Sequence, residues 1–159
     1  MSGTKIKSLK SLEKLIPLLK KRGKTIVFTN GCFDLLHYGH VMYLEKAKSK
    51  GDILIVALNS DASVRKIKGA GRPIIKQSDR AHLIAALECV DFVTLFNEAT
   101  PINVIKRIKP SVLIKGSDWN KKTIVGAEFV RAHGGKVLTV KLASGRSTTN
   151  LIKKIIETK

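Results

Sequence analysis

The chain of 159 residues is 43% hydrophobic, which suits one domain with a core of its own. No run approaches the roughly 20 apolar residues of a bilayer span, the N-terminus is broken up by Lys5, Lys7, Lys10 and Lys14, and two cysteines make neither a disulfide framework nor a zinc cluster, so a reduced cytoplasmic protein is expected. The net charge of +18 is what a nucleic-acid binder carries, but the lysines are scattered from Lys5 to Lys159 and aromatics are only 5%, which suits solubility and attraction of anionic substrates better than nucleic-acid reading.

In chain order, Leu9, Leu12, Leu15, Ile16 and Leu19 recur at helical spacing and predict an amphipathic helix over 9–22, an N-terminal addition ending near Gly23. Short apolar runs follow at 25–29, 53–58, 92–96, 112–115 and 136–140, each bounded by polar or glycine residues and separated by helical segments. Helix starts are marked at Ser78, at Thr100-Pro101, and at Ser147 ahead of Leu151, Ile152, Ile155 and Ile156. This alternation predicts an α/β fold, a Rossmann-like, doubly wound five-stranded parallel sheet of order 3-2-1-4-5 with an N-terminal helix. Residues 1–24 form the helical extension and 25–157 the core of a single domain. In that order the first and fourth strands are neighbours, so the loops at 30–40 and 115–119 open on one cleft.

The first of those loops carries the chemistry. Thr29-Asn30-Gly31-Cys32-Phe33-Asp34-Leu35-Leu36-His37-Tyr38-Gly39-His40 puts a small-residue turn and two imidazoles where a strand hands over to a helix. A helix starting near Tyr38 offers unpaired N–H groups and the positive end of its dipole to an anion. His37 and His40 lie three apart on one face, and Gly39 leaves room for close approach. The backbone N–H groups around Cys32 and Phe33 can hold a phosphate, and the hydroxyls and N–H groups of Ser147, Thr148 and Thr149 form a second anion cradle. Neither a P-loop nor a GxGxxG fingerprint is present. Asp34 and Asp118, one in each loop, are too few for a protein cage, so Mg²⁺ is expected to ride on nucleotide phosphates with no dedicated protein site.

The segment resembles the HxGH signature of the nucleotidyltransferase superfamily, and Thr-Asn-Gly-Cys-Phe-Asp ahead of it is similar to the adenylyltransferases that make ADP-heptose. Asn59-Ser60-Asp61-Ala62-Ser63, Lys68-Gly69 with Arg72-Pro73, Lys115-Gly116-Ser117-Asp118 and Ser147-Thr148-Thr149-Asn150 follow in the family's order. The resemblance implies an enzyme that transfers AMP from ATP to a sugar 1-phosphate, heptose 1-phosphate, and releases pyrophosphate. It implies catalytic roles for His37, His40 and Lys68. Nucleotide contacts are implied for Thr29, Asn30, Gly31, Cys32, Phe33, Asp34, Gly39, Lys115, Gly116, Asp118, Trp119, Ser147, Thr148 and Thr149, and substrate contacts for Asn59, Asp61, Arg72 and Arg80. Relatives that use CTP with glycerol 3-phosphate carry Arg-Thr-x-Gly-Ile-Ser-Thr-Thr, whereas this chain reads Ala143-Ser144-Gly145-Arg146-Ser147-Thr148-Thr149, which favours ATP over the CTP alternative. In many bacteria such a domain follows a sugar kinase, to which nothing here corresponds, so phosphorylation is expected from a separate enzyme. A homodimer is expected on general grounds.

Overall fold

The computed structural model describes residues 2–117, 123–141 and 148–158. Five strands, β1 (Ile26–Gly31), β2 (Ile53–Asn59), β3 (Phe92–Phe96), β4 (Val112–Gly116) and β5 (Lys136–Val140), form one all-parallel sheet in the order β3-β2-β1-β4-β5. This is the order expected from the sequence. The apolar runs are continuous because helices cover both faces of the sheet.

Side chains alternate between those faces. On one, Val27, Leu54, Val56 and Ile114 pack with Tyr43, Leu44 and Ala47 of α2 (Tyr38–Lys48) and with Ala81, Ile84 and Ala85 of α4 (Gln77–Ala86). On the other, Phe28, Ile55, Ala57 and Leu113 meet Leu12 and Ile16 of α1 (Leu9–Lys21), Val104, Ile105 and Ile108 of α5 (Ile102–Ile108), and Ala127 and Val130 of α6 (Ala127–Ala132). Helix α3 (Asp61–Lys68) follows β2, and α7 (Thr148–Glu157) closes the described chain without burying a residue.

Element ends differ from the sequence reading by a residue or two. β1 runs on to Gly31 because its ladder with β2 continues through Gly31 and Leu58. The helix marked by Ser78 starts one residue earlier, at Gln77, and Pro101 sits before α5 at the cap position. Ser147 lies outside the described residues. The N-terminal segment does more than add a helix: Ile6 bridges Val93 in parallel and the Lys7 N–H donates to the Val93 carbonyl at 2.9 Å, covering the outer edge of β3. Among the described residues, no helix is long and apolar enough to cross a membrane.

Candidate active site

At the C-terminal end of β1 the chain turns through Cys32 and Phe33, and Phe33 adopts a left-handed φ of 45°. The turn folds the Phe33 ring back over Gly31, where a Cβ would stand 2.8 Å from Phe33 Cε2. The same ring, nearly buried, lies against His40 with centroids 5.0 Å apart. His37 is the residue before α2, in extended conformation (φ −142, ψ 167), and its carbonyl accepts from the His40 N–H at 2.9 Å. Its side chain makes no capping hydrogen bond. Instead the two imidazoles stack, with centroids 3.9 Å apart and planes inclined by 21°.

Such stacking makes one positive charge discourage the other. Burial first, then the nearby charges of His37 and Lys68, push the pKa of His40 down to about 4, with the Leu35 main chain pulling weakly the other way. His40 is therefore a neutral imidazole at pH 7, and its buried Nδ1 makes no hydrogen bond among the described residues.

These rings border a cleft of about 520 Å³ over the C-terminal ends of the central strands. Fifteen of the predicted residues share its lining: Asn30, Gly31, Cys32, Phe33, Asp34, His37, Gly39 and His40 from the first loop, then Asn59, Lys68, Arg72, Lys115, Gly116, Thr148 and Thr149. Lys68 occupies the last position of α3 just before Gly69, whose φ of 94° stops the helix. Lys115 is 8% exposed and donates from Nζ to the Asn30 carbonyl at 3.3 Å. The Cys32 thiol is pushed up in pKa by burial, against the pull of Lys68 and Arg80, and so is protonated at neutral pH.

Three predicted contacts lie behind the cleft wall. Thr29 is fully buried, its hydroxyl 2.7 Å from that of Tyr43, which in turn donates to the Ile114 carbonyl at 3.2 Å. Arg80, expected to touch substrate, is 0% exposed. Its guanidinium donates to the Asn59 carbonyl at 2.9 Å, to Asp61 Oδ1 at 2.8 Å, to the Ile75 carbonyl at 3.0 Å and to the Cys32 carbonyl. Asp61, the second expected substrate contact, is its counter-ion. The structure thus places Arg80 in the framework and not at the cleft surface: four of its five N–H donors go to main-chain carbonyls and the Asp61 carboxylate, and the side chain is closed to solvent. Asp118, Trp119 and Ser147 lie outside the described residues.

Asp34 ties the site together and is not disposed as a metal ligand. Buried to 2%, it accepts from Arg72 Nε at 2.5 Å and from the Ile74 and Ile75 N–H groups at 2.8 and 2.9 Å. Burial alone would raise its pKa, but those bonds prevail and hold the carboxyl below the usual range. No group of three or more metal-ligating side chains occurs among the described residues.

The sequence reading missed Tyr43, Ile67, Val125 and the Ala99–Thr100–Pro101 stretch, all of which line the cleft. A signal existed in the topology: to pass from β3 at one edge to β4 beyond β1, the chain has to cross above β2 and β1. Thr100-Pro101 stood out only as a helix start.

A doubly wound sheet with paired imidazoles at the start of the helix that follows β1 and cationic side chains around one cleft defines a nucleotidyltransferase. The chain belongs to the cytidylyltransferase-like family, whose profile matches residues 28–158. It is 55% identical over 155 residues to the bifunctional protein HldE of Geobacter metallireducens, covering 98% of this chain and 32% of that protein. It is 54% identical over 145 residues to that of Campylobacter fetus subsp. fetus, covering 91% and 31%. The chain thus spans about a third of the length of the curated relatives it matches. Among solved structures, a lipopolysaccharide core biosynthesis protein from Thermoplasma volcanium aligns with TM-score 0.63 and 29% identity over 76% of this chain and 98% of that one. A pantoate-beta-alanine ligase from Francisella tularensis shares the fold, with TM-score 0.63 at 15% identity over 97% of this chain and 79% of its own.

Proposed function

We propose that the chain transfers AMP from ATP to heptose 1-phosphate, forming ADP-heptose and pyrophosphate. What carries the proposal is the stacked His37–His40 pair at the start of α2, which faces the same cleft as Lys68, Arg72, Lys115, Thr148 and Thr149. The Thr-Asn-Gly-Cys-Phe-Asp form of the first loop, the HldE relatives and the likeness to a lipopolysaccharide core biosynthesis protein support heptose as the acceptor's sugar.

A phosphate oxygen of the acceptor attacks the α-phosphorus in line; the new P–O bond forms as the α–β bridging bond breaks, and pyrophosphate leaves with that bridging oxygen. No protein nucleophile takes part, so the chain acts by positioning and by stabilising spreading negative charge. His40 donates an N–H toward the leaving oxygen and His37 toward a neighbouring phosphate oxygen. Lys68 stands as a point charge between acceptor phosphate and α-phosphate. Thr148 and Thr149 meet the outer phosphates at the start of α7. Because both Asp34 oxygens are occupied, the residues present form no cage for Mg²⁺, and the ion is proposed to arrive on the triphosphate, where it neutralises phosphate charge.

Pyrophosphate release, measured with ATP, CTP, GTP and UTP against heptose 1-phosphate, glycerol 3-phosphate and choline phosphate, tests this. ATP with heptose 1-phosphate is expected to be the fastest pair. Preference for CTP with glycerol 3-phosphate would overturn the assignment, and no turnover with any pair would overturn catalysis of this type.

A further inference from the structure

The register of the sheet sorts the floor of the cleft into two sides. Asn30 pairs with Ala57, and Asn59 lies two residues further along the same strand, so both project on the face that carries Phe28, Ile55 and Ala57, under α1 and α5. His37 stands at the cap position and His40 in the first turn of α2, which packs on the opposite face. The apolar layer on the α5 side thus ends in two carboxamides on adjacent central strands, both lining the cleft, with Thr100 and Pro101 from the crossing loop on the same lining.

The two carboxamides are incompletely used. Among the described residues the side chain of Asn30 finds no hydrogen-bond partner, and its Oδ1 is sealed from solvent. Asn59 is anchored at one end only: Nδ2 donates to Ser63 Oγ at 2.9 Å, and that hydroxyl passes its own proton to the Glu98 carbonyl at 2.7 Å. Its Oδ1 receives nothing but the Cys32 thiol at 3.9 Å, a weak donor. Buried acceptors without partners are rare and unfavourable, and they call for a donor that is absent from the protein alone. The terminal torsion of an asparagine is soft and roughly two-fold, so a rotation of the Asn30 amide brings its oxygen to the cleft at small cost.

From this arrangement we infer that Asn30 and Asn59 form a hydroxyl-reading shelf for the acceptor, accepting from two hydroxyls of one sugar ring; this rests on the proposed sugar-phosphate acceptor. Asn59 stands diagonal to Asn30 in this register, and diagonal neighbours on one face lie about 7–8 Å apart, a span that two side-chain amides leaning toward hydroxyls on opposite sides of a single pyranose bridge. The shelf extends from β1 toward β2, and α3 leaves β2 to end in Lys68, the residue assigned to the acceptor phosphate. A ribose offers the same diol chemistry, so the test must separate the two sources.

Asn30→Ala is the informative variant, since no hydrogen bond of the fold is lost with that side chain. Steady-state kinetics with heptose 1-phosphate and ATP are expected to show KM for the sugar phosphate raised about tenfold, the worth of one hydrogen bond to a hydroxyl, with KM for ATP and the melting temperature unchanged. Asn59→Ala should act in the same direction. A rise confined to KM for ATP, absent when 2′-deoxy-ATP is used with both proteins, would assign the shelf to the ribose and overturn the inference. Unchanged KM for both substrates would overturn it as well. Wild-type protein inert toward every sugar 1-phosphate would show the failure of the proposed reaction itself, before any variant is compared, and the shelf's assignment would fall with it.

Discussion

His40 has its pKa held at about 4 by burial and by the neighbouring positive charges of His37 and Lys68, the features that suit the site to a polyanion. A triphosphate in the cleft reverses the balance of charge around the ring and favours the imidazolium. ATP binding at pH 5.5 is therefore expected to take up a proton, and affinity should rise as pH falls from about 6.5 toward 4. Calorimetry in two buffers of different ionisation enthalpy measures the uptake directly, and a His40→Gln variant should lose it. Uptake unaffected by that change would place the titrating group elsewhere. The same shift acts on stability with the opposite consequence: because the folded value lies below the ordinary one, the empty enzyme loses stability as pH drops from 6.5 toward 4. Turnover of His40→Ala is expected to fall at least about 100-fold with the melting curve at pH 7 preserved, since the ring is proposed to donate to a leaving oxygen and is not a pillar of the core.

At the level of elements, Arg80 shows what the sequence conceals. Its position one turn into a helix after a Lys-Gly and Arg-Pro loop marks a basic residue near phosphates, and sequence displays the charge but not the acceptors that surround it. In the fold it joins the end of β1 through Cys32, the end of β2 through Asn59, the start of α3 through Asp61 and the following loop through Ile75. Arg80→Ala would leave the partly exposed Asp61 carboxylate and the Cys32, Asn59 and Ile75 carbonyls without their donor and a void where a fully buried side chain stood, a change worth about 2–5 kcal/mol. For a chain of this size each kcal/mol shifts the melting temperature by about 2–4 °C, so a fall on the order of 10 °C is expected by differential scanning calorimetry. A variant as stable as wild type, with only its KM changed, would return Arg80 to the substrate. The strands were legible because each is an uninterrupted apolar run covered on both faces, and their order follows from the handedness and winding of parallel units. The first loop was legible because small residues and paired imidazoles at a strand's end have few other uses. The bridge of Ile6 to β3 and the crossing of 99–101 above the cleft were not, since both depend on contacts distant in sequence and made by residues with no chemistry of their own.

On the scale of the whole molecule, 30 basic residues face 12 acidic ones, so most lysines have no carboxylate to pair with. Those pairs that form are largely at the surface, as with Lys24 and Asp52 or Arg107 and Glu13, and contribute little to stability. The excess charge is spread along the chain, with Lys68, Arg72 and Lys115 on a cleft whose two proposed substrates are both polyanions, and a net field of that sign draws them toward the protein. Screening limits the reach of such a field to about 10 Å at 0.1 M salt and about 3 Å at 1 M. KM for ATP is accordingly expected to climb several-fold between 0.05 and 0.5 M NaCl while kcat changes little, because Lys68, Arg72 and the imidazoles are proposed to act on bound phosphates at contact distance, where added salt screens poorly. Duplex DNA of random sequence should be held at the low end of that range and released at the high end, the behaviour of attraction through phosphates alone. A KM for ATP that is flat across the series, together with DNA binding that persists at 0.5 M, would invert the assignment of the charge from substrate attraction to nucleic-acid binding.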